Sequence, residues 1–346
     1  MNILYIGNKI EKPQSGGDQI NYRNQKLLEL IQGRSLDFIE IDGGSTFAKF
    51  YLGATDGVLQ KINKALKTGN YTHVFISQSL LGRAARFIKK QYPDIIIHVF
   101  YHNIESQYAH EYYKTTGIKA LPFYLLTKRY EALAAKYGDK HITLNSRDAE
   151  LLKATYSTKS DLSLPTSLED RFDEAKMLAQ ANQENDEPIF LFVGVAFFAN
   201  TEAVQWFIDN VMPFVRGTFY VVGKGMDSVP FRGITDKVKV FGFVDDLSEF
   251  YYKADYVVSP ILSGGGMKTK TAEALMYGKT ILGTTEAFEG YEVDDRCMLL
   301  CDTKESFIEV INNKLNYNKQ NLYARELFSR LYNYEKTLLK YKGCFE

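Results

Sequence analysis

The sequence is poor in cysteine, tryptophan and proline. Its 346 residues include 3 Cys, 1 Trp and 8 Pro. The cysteines, at positions 297, 301 and 344, do not have the paired spacing of zinc or redox motifs. So few cysteines argue against a disulfide-stapled secreted domain and favour a reducing compartment. We therefore expect a cytoplasmic protein that holds no structural metal.

Long apolar segments and a net charge are also absent. No run of 18 apolar residues occurs, so we expect no membrane-spanning helix, and the start of the chain has the pattern of a core strand rather than of a signal peptide. The formal net charge is zero, but residues 1–165 carry 22 Lys and Arg against 15 Asp and Glu, whereas residues 166–346 carry 20 against 27. A basic first half favours contact with an anionic surface or substrate, and chance variation explains the division equally well.

What the sequence does contain is a regular alternation of short apolar strands and helix-period segments. This alternation is typical of parallel α/β units. Residues 157–188 interrupt it, because they are polar and include Pro165 and Pro188, and we interpret them as a linker region.

The sequence therefore predicts an α/β protein with two facing Rossmann-like domains. Residues 1–165 form the first domain and residues 166–330 the second, and a C-terminal helix at about 330–346 is expected to pack back on the first. Ligands of such sheets lie at the carboxyl ends of the strands, so facing domains would place a site in the cleft between them.

The most informative segment is a strand–loop–helix–strand unit in the second half. An apolar strand at 256–260 leads into three glycines, Gly264–Gly266, and a helix at 269–277 and a strand at 279–283 follow. Glycines let the backbone approach a ligand closely, and a helix N-terminus presents unpaired N–H groups. This arrangement predicts an anion site.

Two lysines stand at the start of the predicted helix, Lys268 and Lys270. The helix dipole disfavours cations there, and the order of Lys270 and Glu273 is the weaker direction for a helical ion pair. We expect a bound phosphate or diphosphate to neutralise both lysines. A glycine turn with solvated lysines is the alternative interpretation.

Several segments together resemble the donor-binding half of glycosyltransferase family 4, which has the GT-B fold. In the second half they are Val238–Leu247, Ala254–Pro260, Gly264–Lys270 and Glu273–Lys279, with Phe192–Gly194 and Asn200–Trp206 similar to the first strand and helix of that domain. The first half resembles the family less closely, at Ser15–Gly17, His102–Asn103 and Asn145–Ser146.

The resemblance implies a glycosyltransferase of the hexosyltransferase class. Such an enzyme moves a sugar from a nucleotide-sugar donor to a glycan or lipid-linked acceptor, with retention, in polysaccharide or glycoconjugate biosynthesis. We expect no cofactor and no nucleic-acid partner, and we expect metal independence because the sequence shows no cluster of metal-ligating residues. The basic first domain adds the expectation of peripheral contact with the inner face of a membrane.

The resemblance also assigns roles to residues. The segment Gly242–Val244 would lie against the nucleobase, Glu273 would bind the ribose, and His102 would lie near the transferred sugar. The catalytic candidates are His102, Lys270 and Glu273. The donor-binding candidates are Gly16, Gly17, Lys224, Gly242, Phe243, Val244, Gly264, Gly265, Gly266, Met267, Lys268, Thr269, Lys270 and Glu273.

Two positions depart from the family pattern. After Gly223, where many members have an arginine that binds the phosphate, this chain has Lys224, which could serve instead. Many members carry a second glutamate eight residues before the one that matches Glu273, and this chain has Gly265 there. The contact to the hydroxyls of the donor sugar is then missing, or backbone N–H groups replace it. A non-catalytic GT-B partner subunit and a nucleotide-sugar epimerase therefore remain alternatives. A dinucleotide dehydrogenase is disfavoured, because neither half has G-x-G-x-x-G after its first strand.

The chemistry also leaves two routes open. No covalent nucleophile is evident, so an acceptor hydroxyl could attack from the face of the leaving diphosphate, which takes its proton. An inverting enzyme would need a carboxylate base, for which Asp18 and Glu105 are the candidates. We expect Asp18 to serve otherwise as a helix N-cap. A group of aromatic residues is expected to line the core or the cleft: Tyr108, Tyr112, Tyr113, Phe123 and Tyr124.

Overall fold

The computed structural model describes residues 1–43, 49–181, 187–264, 266–313 and 319–345. The chain forms two compact units that exchange short segments. The first contains Met1–Pro13, Ile20–Pro165 and Leu338–Glu346, and the second contains Gln14–Gln19 and Thr166–Thr337. Each unit is built around one parallel six-stranded sheet.

The sheet of the first unit has the strand order β2-β1-β3-β4-β5-β6, so the order reverses between β1 and β3. Its strands are β1 Ile3–Ile6, β2 Asp37–Ile39, β3 His73–Ile76, β4 Ile96–Tyr101, β5 Lys140–Thr143 and β6 Leu162–Ser163. The helices of this part of the chain are Gly16–Gln32, Asp56–Thr68, Gly82–Gln91, Glu105–Thr116, Leu121–Tyr137 and Ser146–Tyr156, with short 3₁₀ turns at Ser79–Leu81 and Ile118–Ala120.

The sheet of the second unit has the order β12-β11-β10-β7-β8-β9, so its order reverses between β7 and β10. Its strands are β7 Ile189–Val193, β8 Thr218–Val222, β9 Val238–Phe241, β10 Tyr256–Ser259, β11 Thr280–Gly283 and β12 Met298–Leu300. The helices are Glu174–Ala181, Phe198–Asn210, Ser248–Lys253, Thr269–Met276, Lys304–Asn313, Leu322–Leu327 and Tyr334–Lys342, with 3₁₀ turns at Met212–Phe214 and Met226–Ser228 and a π-helical turn at Phe328–Tyr332.

Local sequence explains why these elements form where they do. The helix Asp56–Thr68 illustrates this: the side chain of Thr55 accepts a hydrogen bond from Val58 N, and the buried residues of the helix recur at helical spacing. Strands β1 and β3 are buried along their whole length. Such continuous apolar runs are what a parallel sheet covered on both faces requires.

The interpretation of residues 157–188 as a linker is wrong in part. Strand β6 and the helix Glu174–Ala181 lie within this stretch. Asp161 N donates to His141 O and Leu164 N donates to Thr143 O, both at 2.8 Å, so this backbone continues the first sheet. A strand of two residues carries too little periodicity for a sequence pattern to show it.

The expected N-cap at Asp18 is also wrong, because the helix begins two residues earlier, at Gly16. Ser15 takes the capping role: its Oγ accepts from Asp18 N at 3.2 Å. The carboxylate of Asp18 reaches back to Gln14 N at 3.2 Å. Ser15 and Asp18 therefore share the start of the helix in the manner of a capping box.

The aromatic group of the helices Glu105–Thr116 and Leu121–Tyr137 does not belong to the buried core. Tyr112 is 43% exposed, and the other four rings are half-buried. Several pack on one another instead: the rings of Tyr113 and Tyr124 stack at 6.1 Å, and those of Tyr112 and Phe123 meet edge to face at 6.3 Å.

Within the described part of the chain, no helix is both long and apolar enough to cross a bilayer.

Candidate active site

The carboxyl ends of β7 to β10 converge at one edge of the second sheet. These four strands are adjacent and parallel, so the segments that follow them leave the sheet on the same side. They are Gly194–Phe197, Gly223–Gly225, Gly242–Val244 and 260–268. Because the strand order reverses between β7 and β10, this edge is the place where α/β sheets bind ligands.

The glycine-rich loop after β10 leads directly into the helix Thr269–Met276. Lys268 occupies the N-cap position, and its side chain makes no capping hydrogen bond. Buried Ala272, Ala274 and Leu275 hold the helix against the rest of the unit. The first N–H groups of the helix thus stand at the carboxyl edge of the sheet behind an N-cap residue that does not cap them, which is a favourable arrangement for an anion.

Lys270 lies at the centre of this edge. Its Nζ donates to Asn200 Oδ1 at 2.7 Å and lies 3.9 Å from the centroid of the Phe192 ring. Asn200 in turn donates to Val195 O at 2.9 Å, just beyond the end of β7. Burial, and then the charge of Lys268, lower the pKa of Lys270 to about 7, although the charge of Glu273 acts in the opposite direction. A bound anion would favour the protonated amine.

Lys268 is paired with a carboxylate of the protein. Its Nζ lies 2.7 Å from Glu286 Oε1 and donates to Gly266 O at 2.9 Å. Tyr291 OH donates to the main-chain oxygen of Lys268 at 2.8 Å. This differs from the expectation that a bound anion alone neutralises both lysines, because Glu286 already balances one of them.

Glu273 lies one turn into the same helix, half-buried, with a partner on each carboxylate oxygen. Gln19 Nε2 donates to Oε1 at 2.7 Å and Tyr251 OH donates to Oε2 at 3.2 Å. Tyr251 is held by stacking on Tyr277, with ring centroids 4.6 Å apart. Burial raises the pKa of Glu273, and the hydrogen bonds from Gln19 and Tyr251 oppose that rise. Because both donors are neutral, they orient the carboxylate without neutralising its negative charge.

Gly16 and Gly17 belong to the segment 14–19 that is part of the second unit. Thr269 Oγ1 donates to Gly16 O at 3.4 Å, and a Cβ at position 16 would lie 2.9 Å from that hydroxyl. A side chain at position 16 would therefore displace the Thr269 hydroxyl and its hydrogen bond. A Cβ at position 17 would meet nothing closer than Ser15 Oγ, at 3.9 Å, so Gly17 has no such steric role.

The remaining donor-binding candidates surround this edge. Lys224 Nζ donates to Gln14 Oε1 at 2.7 Å, Phe243 is 59% exposed, and Gly242 faces the carboxylate of Asp227. In the glycine loop, Gly264 has a φ of 143°, and Met267 is buried with its sulfur 3.5 Å from Thr166 N. Gly265 lies outside the described residues. The structure thus brings Lys224, Phe243, Lys268, Lys270 and Glu273 to one edge of one sheet.

His102 belongs to the first unit, directly after β4. Its Nε2 lies 3.1 Å from Ser77 O and 3.2 Å from Asn21 Oδ1. Because a backbone carbonyl can only accept, Nε2 carries a proton in this hydrogen bond. The ring also meets Phe100 edge to face at 5.1 Å. His102 is therefore fixed in orientation at the carboxyl edge of the first sheet.

A buried carboxylate, Glu131, organises the neighbouring helix start. It accepts from Glu105 N and Ser106 N at 2.9 Å each, from Tyr156 OH at 2.9 Å and from Ser79 Oγ at 2.8 Å. Burial, and then the charges of Glu131 and Asp148, raise the pKa of Glu105 to about 8. Glu105, a candidate base of the inverting route, therefore lies close to other carboxylates that favour its protonated form.

Sequence reasoning missed four partners of the predicted residues: Asn200, Gln19, Tyr251 and Glu286. Gln19 lies 254 positions from Glu273 in sequence, and no local pattern connects them. Asn200 alone had a usable signal, because it follows the first strand of the second domain within a segment that resembles the family. Among the described residues, no group of three or more His, Cys, Asp or Glu is arranged to hold a metal ion.

Part of the chain matches a known family. Residues 187–316 match the family described as group 1 glycosyl transferases, which places that domain around the edge described above. No curated protein matches the chain.

Solved structures resemble the whole chain. Sucrose-phosphate synthase from Thermosynechococcus elongatus has a TM-score of 0.78 at 14% identity, over 100% of this chain and 98% of that one. The apo lipopolysaccharide outer core galactosyltransferase WaaB has a TM-score of 0.69 at 12% identity, over 100% and 99%. HepE of Anabaena, solved with UDP and glucose, has a TM-score of 0.68 at 13% identity, over 100% and 99%.

The two parallel sheets and these likenesses establish the GT-B fold. With the matched domain, they define the class of the protein: the chain is a glycosyltransferase, and its second half carries a group 1 glycosyltransferase domain.

Proposed function

We propose that this chain is a family 4 enzyme that transfers a hexose from a nucleoside-diphosphate sugar to a hydroxyl of a glycan or lipid-linked acceptor, with retention. Its place would be in polysaccharide or glycoconjugate biosynthesis. The observation that carries the proposal is the position of Lys270. It belongs to the first turn of a helix whose N-cap side chain makes no capping hydrogen bond, at the point where the strand order of the second sheet reverses.

Lys270 would act on the leaving group. Departure of the nucleoside diphosphate builds negative charge on the phosphate oxygens, and a cation held in a dry site stabilises that charge most in the transition state. Its hydrogen bond to Asn200 and its position over Phe192 keep the amine in place. Lys268 and the helix N–H groups would share the diphosphate.

The nucleoside would lie beside Glu273 and the segment after β9. Each oxygen of the Glu273 carboxylate already has a neutral donor, and a carboxylate can accept further bonds from ribose hydroxyls. Phe243, 59% exposed, offers an aromatic face to a nucleobase. That HepE was solved with UDP and with UDP-glucose supports a donor of this kind.

His102 would contact the transferred sugar, and the departing phosphate would take the proton of the acceptor hydroxyl. An inverting enzyme would instead need a carboxylate base, for which Asp18 and Glu105 are the candidates. The reaction would need no metal and no cofactor.

The first unit would dock on an anionic membrane to reach a lipid-linked acceptor. The residues that support this lie where the helices Glu105–Thr116 and Leu121–Tyr137 meet. Ile118 is 72% and Leu125 55% exposed, and Lys114 and Lys119 are exposed beside them. Exposed apolar side chains flanked by lysines are typical of surfaces that bind anionic lipid headgroups.

The test is a thermal-unfolding screen of UDP-, GDP- and ADP-sugars, followed by product analysis with candidate acceptors. A donor at 100 times its dissociation constant should stabilise the protein by about 2.7 kcal/mol. Lys270→Ala should reduce the shift, and Lys253→Ala, at an exposed position, serves as the control. If no donor stabilises the wild-type protein, a non-catalytic partner subunit becomes the better interpretation. Conversion of the donor without any acceptor would instead identify an epimerase.

A further inference from the structure

A carboxylate from a second loop lies against the glycine loop of the candidate site. Strands β10 and β11 are parallel neighbours, with Ser259 opposite Gly283, so the segments that follow them leave the sheet together. Glu286 comes from the segment after β11, and its Oε1 lies 2.7 Å from Lys268 Nζ. Both side chains are half-buried.

The carboxylate also lies beside the glycines of that loop. A Cβ on Gly264 would lie 3.9 Å from Glu286 Oε1 and 3.6 Å from Lys268 Cε. The ammonium group of Lys268 connects Glu286 to Gly266, because Nζ also donates to Gly266 O at 2.9 Å. Glu286 therefore stands in space next to the loop in which many family members carry the glutamate that this chain lacks.

The backbone on both sides of Glu286 is anchored. Thr284 Oγ1 donates to Ile261 O. The same Thr284 hydroxyl oxygen accepts from Ala287 N at 3.2 Å. Thr285 bonds both oxygens of Asp302, at 2.7 and 2.8 Å. Thr271, in the helix that follows the glycine loop, donates to Ala287 O at 3.0 Å. Glu286 is thus held at a fixed distance from the loop and from that helix.

A carboxylate is an unfavourable neighbour for a bare diphosphate, because like charges repel. A cation and a carboxylate side by side instead suit a ligand that carries both phosphate oxygens and hydroxyl groups. Lysine donates to the phosphate, and the carboxylate accepts from the hydroxyls. The sugar part of a nucleotide-sugar supplies such hydroxyls next to its diphosphate.

We propose that Glu286 determines donor specificity by accepting hydrogen bonds from hydroxyls of the donor sugar, in place of the family glutamate that is Gly265 in this sequence. The inference rests on the proposed function, since it requires a nucleotide-sugar at this edge. It differs from the expectation that backbone N–H groups take over that contact.

The test compares two affinities for each variant by calorimetry: that for UDP-glucose and that for UDP, with GDP-mannose and GDP as a second pair. Glu286→Ala should weaken binding of the nucleotide-sugar by about tenfold or more, as for loss of a hydrogen bond to a charged group. Its binding of the nucleoside diphosphate should be unchanged or tighter, because Lys268 loses a competing anion. Glu286→Gln, which keeps one carbonyl acceptor, should lie between Glu286→Ala and the wild type. Glu289→Gln, on the same segment, is the control for charge.

The outcomes separate the explanations. A parallel loss of both affinities means that Glu286 only orients Lys268, and an unchanged ratio means that it does not contact the sugar; either result overturns the inference and leaves the proposed function standing. The pair to use is the one that the donor screen identifies, and if no donor of that screen binds the wild-type protein, the proposed function fails as well. A donor analogue that lacks one sugar hydroxyl should bind the wild-type protein more weakly than the full donor does. The Glu286→Ala variant should bind the analogue and the full donor with the same affinity.

Discussion

The carboxyl edges of the two sheets share an architecture and differ in their charges. At the edge of the second sheet the central side chain is a lysine, Lys270, held by an amide and an aromatic ring. At the edge of the first sheet it is a carboxylate, Glu131, which accepts four hydrogen bonds. The overall charges run the other way, because the first 165 residues are net basic and the rest net acidic.

The net charge of each half of the chain therefore does not indicate the sign of the charged group at the carboxyl edge of its sheet. At both edges the charged group lies at the N-terminus of a helix. The helix dipole stabilises the carboxylate of Glu131 there and opposes the charge of Lys270. The first arrangement is complete within the protein. We expect a bound anion to stabilise the second.

The largest effect is expected from removing the carboxylate of the first edge. Glu131→Ala leaves two backbone N–H groups and two hydroxyls without their buried acceptor, so the free energy of unfolding should fall by about 4 kcal/mol. Urea unfolding measures it, with Glu111→Ala on an exposed helix position as the control. Unchanged stability would show that the carboxylate is not structural.

Removing the lysine of the second edge should lower activity and leave stability unchanged or higher. Lys270→Ala should lower turnover by about 10²–10³-fold, as for loss of a group that stabilises transition-state charge. Because the folded-state pKa of about 7 lies below the ordinary 10.5, the folded protein disfavours the charged amine, so at or below pH 7 the variant without ligand should be as stable as wild type or more so. A variant that is unstable but fully active would make Lys270 a structural residue.

Glu273→Ala tests the second edge at the ribose. Donor affinity should fall by about 1.5–3 kcal/mol, the range for a hydrogen bond to a charged group, while the fold persists. Calorimetry with the tightest donor of the screen measures the change, and Glu249→Ala, at an exposed position, is the matched control. Full donor affinity in a folded Glu273→Ala protein would remove the ribose assignment.

The pH dependence of donor binding sharpens the same comparison. With a pKa of about 7 in the free protein, Lys270 loses its charge as the pH rises from 6 to 9, so donor affinity should fall by up to about tenfold per unit above pH 7. Lys270→Arg, which keeps its charge, should flatten the profile. Affinity that does not change over this range would show that protonation of Lys270 does not limit binding.

The smallest effect is expected at the surface of the first unit. Flotation with anionic vesicles at low salt should retain the protein, and high salt should release it. Replacing Lys114 and Lys119 by Gln should cost about 1 kcal/mol of membrane affinity per residue, whereas the same change at Lys61 and Lys67 should not. Equal binding to neutral and anionic vesicles would favour an acceptor in solution.

The sequence predicted the backbone of the second edge and not its side-chain partners. Strand β10, the helix Thr269–Met276 and strand β11 were all expected within one or two residues, because glycines and apolar runs mark their ends. The pairing of Lys268 with Glu286 and the donors to Glu273 were not expected. They depend on which strands are neighbours in the sheet, and hydrophobic periodicity does not specify that order. Strand β6 was missed because two residues show no alternation.

The exchange of segments between the units has a consequence for dividing the protein into fragments. Phe345 stacks on buried His98 at 4.1 Å, and Tyr341 is buried against the same sheet. Residues that follow the second unit in sequence therefore supply part of the core of the first unit. The second unit in turn includes Gln14 and Gln19, which come before most of the first unit in sequence. A cut at position 165 would separate each unit from part of its own packing, so we expect neither fragment to form its complete core.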